Sequence, residues 1–289
     1  MTRASTLLSG LAALALAAPA GAASLYAATA AGGPGELYTL NPATGAVVQD
    51  VGPLNDANGV NYGITGLAFN PLSGVLFGST ANNVAAIQAR LVTINPATGR
   101  VTVVGQFNAG NAGTTPATMG DLAFDSAGNL YGVGTVGGPQ LYRIDTATGK
   151  ATVVGSTGLT STEGGALAVG SDGIFYGNAS SARYGTYNPT SGAFTTITNP
   201  VEPIGGAFAA FDFDPSGVLY GLDLGPDTAG KATHLTTITP ATGAVTDVGA
   251  SVAQLDAIAF SVPEPGAVGL LVVAAASVAV RRRRPAKSR

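Results

Sequence analysis

Between residues 24 and 262 the hydrophobic pattern has a period of two, in short runs broken by Gly, Pro, Asn and Asp. One segment shows the pattern well. Asp121–Asp125, Leu130–Val133, Gln140–Ile144 and Ala151–Val154 read as four consecutive strands, a to d, with Leu141, Arg143, Thr152 and Val154 alternating or β-branched. The intervening Asp125 to Gly128 segment supplies the a–b turn, and Ile144-Asp-Thr-Ala-Thr-Gly149 supplies the c–d hairpin. No stretch in this region carries a helical period.

The unit recurs. Leu40-Asn-Pro-Ala-Thr-Gly45, Ile94-Asn-Pro-Ala-Thr-Gly99, Tyr187-Asn-Pro-Thr-Ser-Gly192 and Ile238-Thr-Pro-Ala-Thr-Gly243 are further copies of the hairpin, and successive glycines are 54, 50, 43 and 51 residues apart. Leu67-Ala-Phe, Leu122-Ala-Phe, Leu167-Ala-Val, Phe211-Asp-Phe and Ile258-Ala-Phe mark five strands a. Aromatic-rich phrases such as Phe175-Tyr176 and Leu219-Tyr220 mark strand b, and their aromatic residues are expected to pack between repeats. This spacing falls in the β-propeller range. The first strand b, Leu25–Thr29, has no strand a before it, whereas Leu255–Phe260 is a strand a left over at the end. Putting both in one sheet closes a ring of five four-stranded blades and removes exposed edges. The expected fold is therefore an all-β five-bladed β-propeller closed by its N- and C-terminal strands, with six blades as the alternative should a long loop hide further strands. The repeats resemble those of bacterial surface and quinoprotein-like propellers, a resemblance that implies the fold and not the function.

The two ends read differently. Residues 1–23 hold Arg3, an apolar run from Leu7 to Ala18 and a small-residue end, the pattern of a secretory signal peptide. At the other end Val262-Pro263-Glu264-Pro265 is followed by an uncharged stretch, 266–280, and then Arg281, Arg282, Arg283 and Arg284. Fifteen helical residues would span about 22 Å, short of the roughly 30 Å hydrocarbon core unless arginine stems snorkel. The basic end is expected to stay in the cytoplasm, leaving the propeller outside. Pro263 and Pro265 keep the motif extended. Motif, short transmembrane helix and arginine cluster together resemble the PEP-CTERM sorting signal. That resemblance implies recognition by an exosortase, cleavage near the motif, and delivery to the envelope or extracellular polysaccharide matrix of a Gram-negative bacterium. The expected organisation is thus a signal peptide over 1–23, an ectodomain over 24–261 and a sorting signal over 262–289.

Composition narrows the chemistry. The chain has no Cys and one His, which excludes disulfide scaffolds, thiol nucleophiles and a multi-His metal site within the chain. Its net charge of −3 hides a division: residues 24–262 contain 6 Lys plus Arg and 15 Asp plus Glu, a balance of −9. Such a domain repels anionic surfaces, and its basic residues do not cluster as nucleic-acid binding requires. Ligand-site candidates are the acids near the starts of strands a: Asp121, Glu163 and Asp256, with Tyr62 and Glu202 close by in the chain. Two convergent carboxylates could serve a hydrolase or lyase, or bind a cation. Asp212, Asp214 and His234 read as turn or surface residues.

The favoured function is a non-enzymatic binding or structural protein of the envelope or matrix, with no cofactor and with polysaccharide or surface proteins as partners. The alternative is a propeller hydrolase or polysaccharide lyase using the acidic channel mouth. A quinoprotein-like oxidoreductase is disfavoured, since no Trp, Cys or basic channel cluster is present to hold its cofactor.

Overall fold

The computed structural model describes residues 23–30, 34–81, 86–107, 118–134, 140–159, 165–180, 183–199, 207–224 and 232–262. Three strands open blade I: β1 (Leu25–Thr29), β2 (Glu36–Leu40) and β3 (Val47–Pro53). Blade II is β4 (Ile64–Phe69), β5 (Leu76–Thr80), β6 (Arg90–Ile94) and β7 (Val101–Gln106). Blade III is β8 (Met119–Phe124), β9 (Leu130–Gly134), β10 (Gln140–Ile144) and β11 (Ala151–Ser156). Blade IV is β12 (Leu167–Val169), β13 (Phe175–Ser180), β14 (Arg183–Tyr187) and β15 (Phe194–Thr198). Blade V is β16 (Phe208–Phe213), β17 (Leu219–Asp223), β18 (Ala232–Ile238) and β19 (Val245–Ala253). The last strand, β20 (Leu255–Phe260), returns to blade I, whose sheet order is β20-β1-β2-β3.

Five four-stranded antiparallel sheets result, so the five-bladed reading holds and the six-bladed one does not. Ring closure is in register, with Leu25 opposite Phe260 and Ala27 opposite Ile258. Beyond the last pair, Ser261 N–H donates to Ser24 O at 2.8 Å and Ser24 N–H donates to Ser261 Oγ at 2.8 Å. Residues 1–22 and 263–289, which hold most of the expected signal peptide and all but Val262 of the expected sorting signal, lie outside the described residues. Among the described residues no helix is long and apolar enough to cross a membrane.

The c–d hairpins have one construction. The side-chain Oδ1 of Asn41, Asn95, Asp145 and Asn188 accepts the N–H two residues on, at 2.8 to 2.9 Å. Four residues after each first turn position comes a glycine with positive φ, between 68° and 75° at Gly45, Gly99, Gly149, Gly192 and Gly243. These glycines have a second role. Gly149 lies against Gly105 at the end of β7 in the preceding blade, where an added Cβ would stand 2.8 Å from the Gly105 carbonyl carbon. Gly192 meets Gly155, Gly99 meets Gly52, and Gly45 meets Gly249 in the same way. Strand β15 ends in Thr198 where the other outer strands carry glycine, and Gly243 meets that side chain instead.

Inside this rim of glycine contacts runs an aromatic belt. The ring of strand b packs on the ring of the next blade's strand a at Tyr26–Phe69, Phe77–Phe124, Tyr176–Phe213 and Tyr220–Phe260, with centroids 5.1 to 5.6 Å apart. Blade IV has Val169 at the strand-a position, and Phe175 takes the contact with Tyr131 at 4.8 Å. Five apolar clusters occupy the five blade interfaces, with Ile64, Leu122, Leu167, Phe211 and Ile258 of the inner strands among them. The inter-blade role expected for the aromatic pairs is therefore realised.

A methyl group at Gly155 would overlap the Ser191 carbonyl oxygen of the next blade. Gly155→Ala should lower stability by about 1–3 kcal/mol through overpacking, measured by denaturant unfolding; an unchanged midpoint would contradict the packing argument.

Candidate functional site

A propeller's ligands commonly meet its central channel, so the inner strands β4, β8, β12, β16 and β20 define the first place to look. They approach very closely. A Cβ on Gly66 would lie 2.7 Å from the Asp121 Cα, and one on Gly120 would lie 3.1 Å from the Gly165 Cα. Thr65 Oγ1 donates across this gap to Met119 O at 2.7 Å.

Asp121 sits in the middle of this convergence and is 0% exposed. Its Oδ1 accepts the N–H of Leu122 at 2.8 Å. Its Oδ2 accepts the N–H of Leu167 in blade IV at 2.9 Å and that of Phe211 in blade V at 3.0 Å. The three donors occupy the same position in three successive inner strands. Inner strands have no neighbour on their axial side, so these N–H groups have no strand partner, and the carboxylate supplies one. Burial pushes the Asp121 pKa well above the usual carboxylate range; the three amide bonds oppose this and the nearby Asp212 adds to it.

Asp212 repeats the arrangement one step further along. Its Oδ1 accepts its neighbour Phe213 N–H at 2.8 Å, and its Oδ2 accepts Phe260 N–H of the closing strand β20 at 2.7 Å. Burial raises its pKa to about 7 against the pull of these two amides, with the charge of Asp214 adding to the rise. Asp256, at the start of β20, is half-buried and makes no hydrogen bond to another described residue. Burial alone pushes its pKa up to about 7.

The sequence candidates therefore fall into different settings. Asp121 is inside the ring and engaged by backbone; Asp256 is partly accessible; Glu163 and Glu202 lie outside the described residues. Tyr62 is buried and its hydroxyl donates to Asp56 Oδ2 at 3.1 Å, which fixes the loop before β4. Asp214 accepts Ser216 and Val218 N–H groups and is a turn residue, as its sequence context suggested. His234 has a partner that sequence spacing did not show: its Nδ1 lies 3.0 Å from Asp247 Oδ1 across the outer strands β18 and β19. Among the described residues no three His, Cys, Asp or Glu side chains converge to hold a metal ion. Asp212 is the axial residue that sequence reading missed. The signal is Asp in place of the Ala of the other Leu-Ala-Phe phrases, masked by the turn-like Phe211-Asp-Phe-Asp-Pro-Ser-Gly217 around it.

Two outcomes test this assignment. Asp121→Ala orphans three buried amides at about 1–3 kcal/mol each, so it should be severely destabilising in denaturant unfolding. Asp121→Asn keeps one acceptor oxygen and should cost less; equal, small effects would refute the bridging role. The second outcome concerns pH. Carboxyls whose folded pKa is near 7 hold more protons than the unfolded chain, where the value is about 3.9. Their contribution is complete below about pH 4 and is lost as pH rises through about 7. The melting temperature should fall over that window, and Asp256→Asn should flatten the fall; a melting temperature that rises across it would contradict the assignment.

Among solved structures, a Bacteroides caccae protein of unknown function matches with a TM-score of 0.44 at 10% identity, over 83% of this chain and 99% of that one. A Bacteroides thetaiotaomicron structural genomics protein of unknown function gives 0.44 at 15% identity, over 78% and 64%. The PQQ-bound aldose sugar dehydrogenase of Streptomyces coelicolor gives 0.39 at 19% identity, over 61% and 60%. No curated protein matches the sequence. The family described as "Repeat of unknown function (DUF6923)" matches residues 26–216, well over half the chain and across four of the blades. The chain is a member of the DUF6923 repeat family, and its repeats build a five-bladed propeller.

Proposed function

We propose that the protein is an exported propeller that acts by binding, at the cell envelope or in an extracellular polysaccharide matrix, after an exosortase has processed its C-terminal sorting signal. The observation that carries the binding reading is Asp121. This buried acid on an inner strand has both oxygens engaged by backbone N–H groups of three blades. Its chemistry goes into holding the ring, which directs recognition to the outer surface and the variable loops.

The processing half of the reading is supported by where the ring ends. Ser261 makes the last closing bonds with Ser24, and Pro263-Glu264-Pro265 follows after one residue. Cleavage at or beyond Pro263 removes none of the strand pairs that hold the propeller. A hydrolase or lyase reading keeps one supporting observation, the partly accessible Asp256 whose pKa near 7 suits a general acid.

Mass measurement of the protein released by the native host tests the processing. A C-terminus close to Pro263 is expected, and an intact Arg281–Arg284 tail would overturn it. Incubation of the purified protein with host extracellular polysaccharide tests the mode of action: retention without chain cleavage is expected, whereas cleavage that Asp256→Asn abolishes would establish the enzymatic reading instead.

A further inference from the structure

The five blades allow an internal comparison, because each position in one blade has counterparts in the others. At the position of Arg143 in β10, the other four blades have Thr39, Thr93, Thr186 and Thr237. At Asp145 and Thr146 they have Asn41-Pro42, Asn95-Pro96, Asn188-Pro189 and Thr239-Pro240. At Asn129, which follows the a–b turn glycine, blades II, IV and V have Val75, Ile174 and Val218. At Lys150 only blade II has another cation, Arg100, against Ala46, Ala193 and Ala244. The strand ladder works without any of these blade III residues, as the other blades demonstrate.

All five departures line one open cavity of about 610 Å³ on the outer part of blade III, at the end carrying the a–b and c–d turns. The polar groups there are organised. Asp125 accepts the Asn129 N–H at 2.8 Å and its Nδ2 at 2.7 Å, which fixes the amide. Asn129 Oδ1 in turn accepts from Arg143 Nη2 at 2.5 Å. Asp145 Oδ1 is occupied by the N–H groups of Ala147 and Thr148, and these bonds hold its carboxyl below the usual range. The guanidinium keeps further donors free of that bond, and Arg143, Lys150 and Asp145 are all exposed.

We infer that this cavity is a saccharide site selective for a sugar bearing a carboxylate. A guanidinium pinned on one edge presents its remaining N–H groups as a fork that suits a carboxylate, and Lys150 adds a second positive charge. Asp145 and the Thr146 hydroxyl offer acceptors to ring hydroxyls. The surrounding domain is acidic, so local cations on blade III are what would admit an anionic sugar that the rest of the surface repels. The ligand class deepens the proposed matrix-binding function and rests on it, although the site itself stands on the blade comparison.

The variants that test it are those that restore the other blades' residues, Arg143→Thr and Asn129→Val, since both residues already occupy these positions in this fold. Calorimetric titration of the purified protein would use an oligogalacturonate and a neutral oligoglucose of equal length. Binding of the uronate alone is expected, weakened by added salt and weakened about tenfold or more by Arg143→Thr. Uronate binding that survives Arg143→Thr, equal binding of the neutral oligomer, or no uronate binding by the unaltered protein would each overturn the site. The mass and polysaccharide-retention measurements above decide the broader function separately. A processed, matrix-retained protein whose retention is indifferent to Arg143→Thr refutes this site alone.

Discussion

Five strands converging on one axis leave a row of inward-pointing backbone N–H groups that no further strand can pair. In an open sheet such an edge faces water, but here the backbones are too close, with glycine at Gly66, Gly120 and Gly165 where larger residues would collide. Buried amides need acceptors. Asp121 and Asp212 provide them, and because each carboxylate accepts from its own strand and from one or two other blades, satisfying the amides also ties the blades to one another. The aromatic belt and the glycine contacts outside the axis build on blades already held at this spacing.

That constraint changes what the channel acids mean. Acidic residues near the axis of a propeller invite a catalytic reading, and two of the three here serve the backbone. The same burial that makes the amide bonds strong raises the pKa of these groups, so a shifted titration in this setting reflects a structural role as readily as a chemical one. Asp256 combines a raised pKa with partial access, and among the described residues no backbone amide engages its carboxylate. Specialisation is found instead on the outside of blade III, where departures from the repeat gather in one place.

Much of the fold was legible because its information is local. The hairpin phrase contains its own Asx turn and its own positive-φ glycine, and the unmatched strands Leu25–Thr29 and Leu255–Phe260 dictated the closure that pairs Leu25 with Phe260. The site was less legible because its contacts are long-range. Asp121 lies 46 residues from Leu167 and 90 from Phe211, and nothing near Asp121 in sequence names those partners. Gly52, Gly105, Gly155 and Gly249, on the outer strands β3, β7, β11 and β19, carry no sequence mark of their role, and only the stacked blades show that each faces a hairpin glycine next door. Asp212 was passed over for a related reason: its phrase resembles a turn, and its real partner, Phe260, is supplied by ring closure.

The central claim is that one carboxylate secures amides belonging to different blades, and amide hydrogen exchange tests it most directly. In the unaltered protein the Leu167 and Phe211 N–H groups should exchange as slowly as those within the strand ladders, opening only with global unfolding. In Asp121→Ala, which removes the shared acceptor Oδ2, both should lose protection together and ahead of the strand-ladder amides, although they lie on separate blades. Rapid exchange of either amide in the unaltered protein, or protection unaffected by the substitution, would contradict the account.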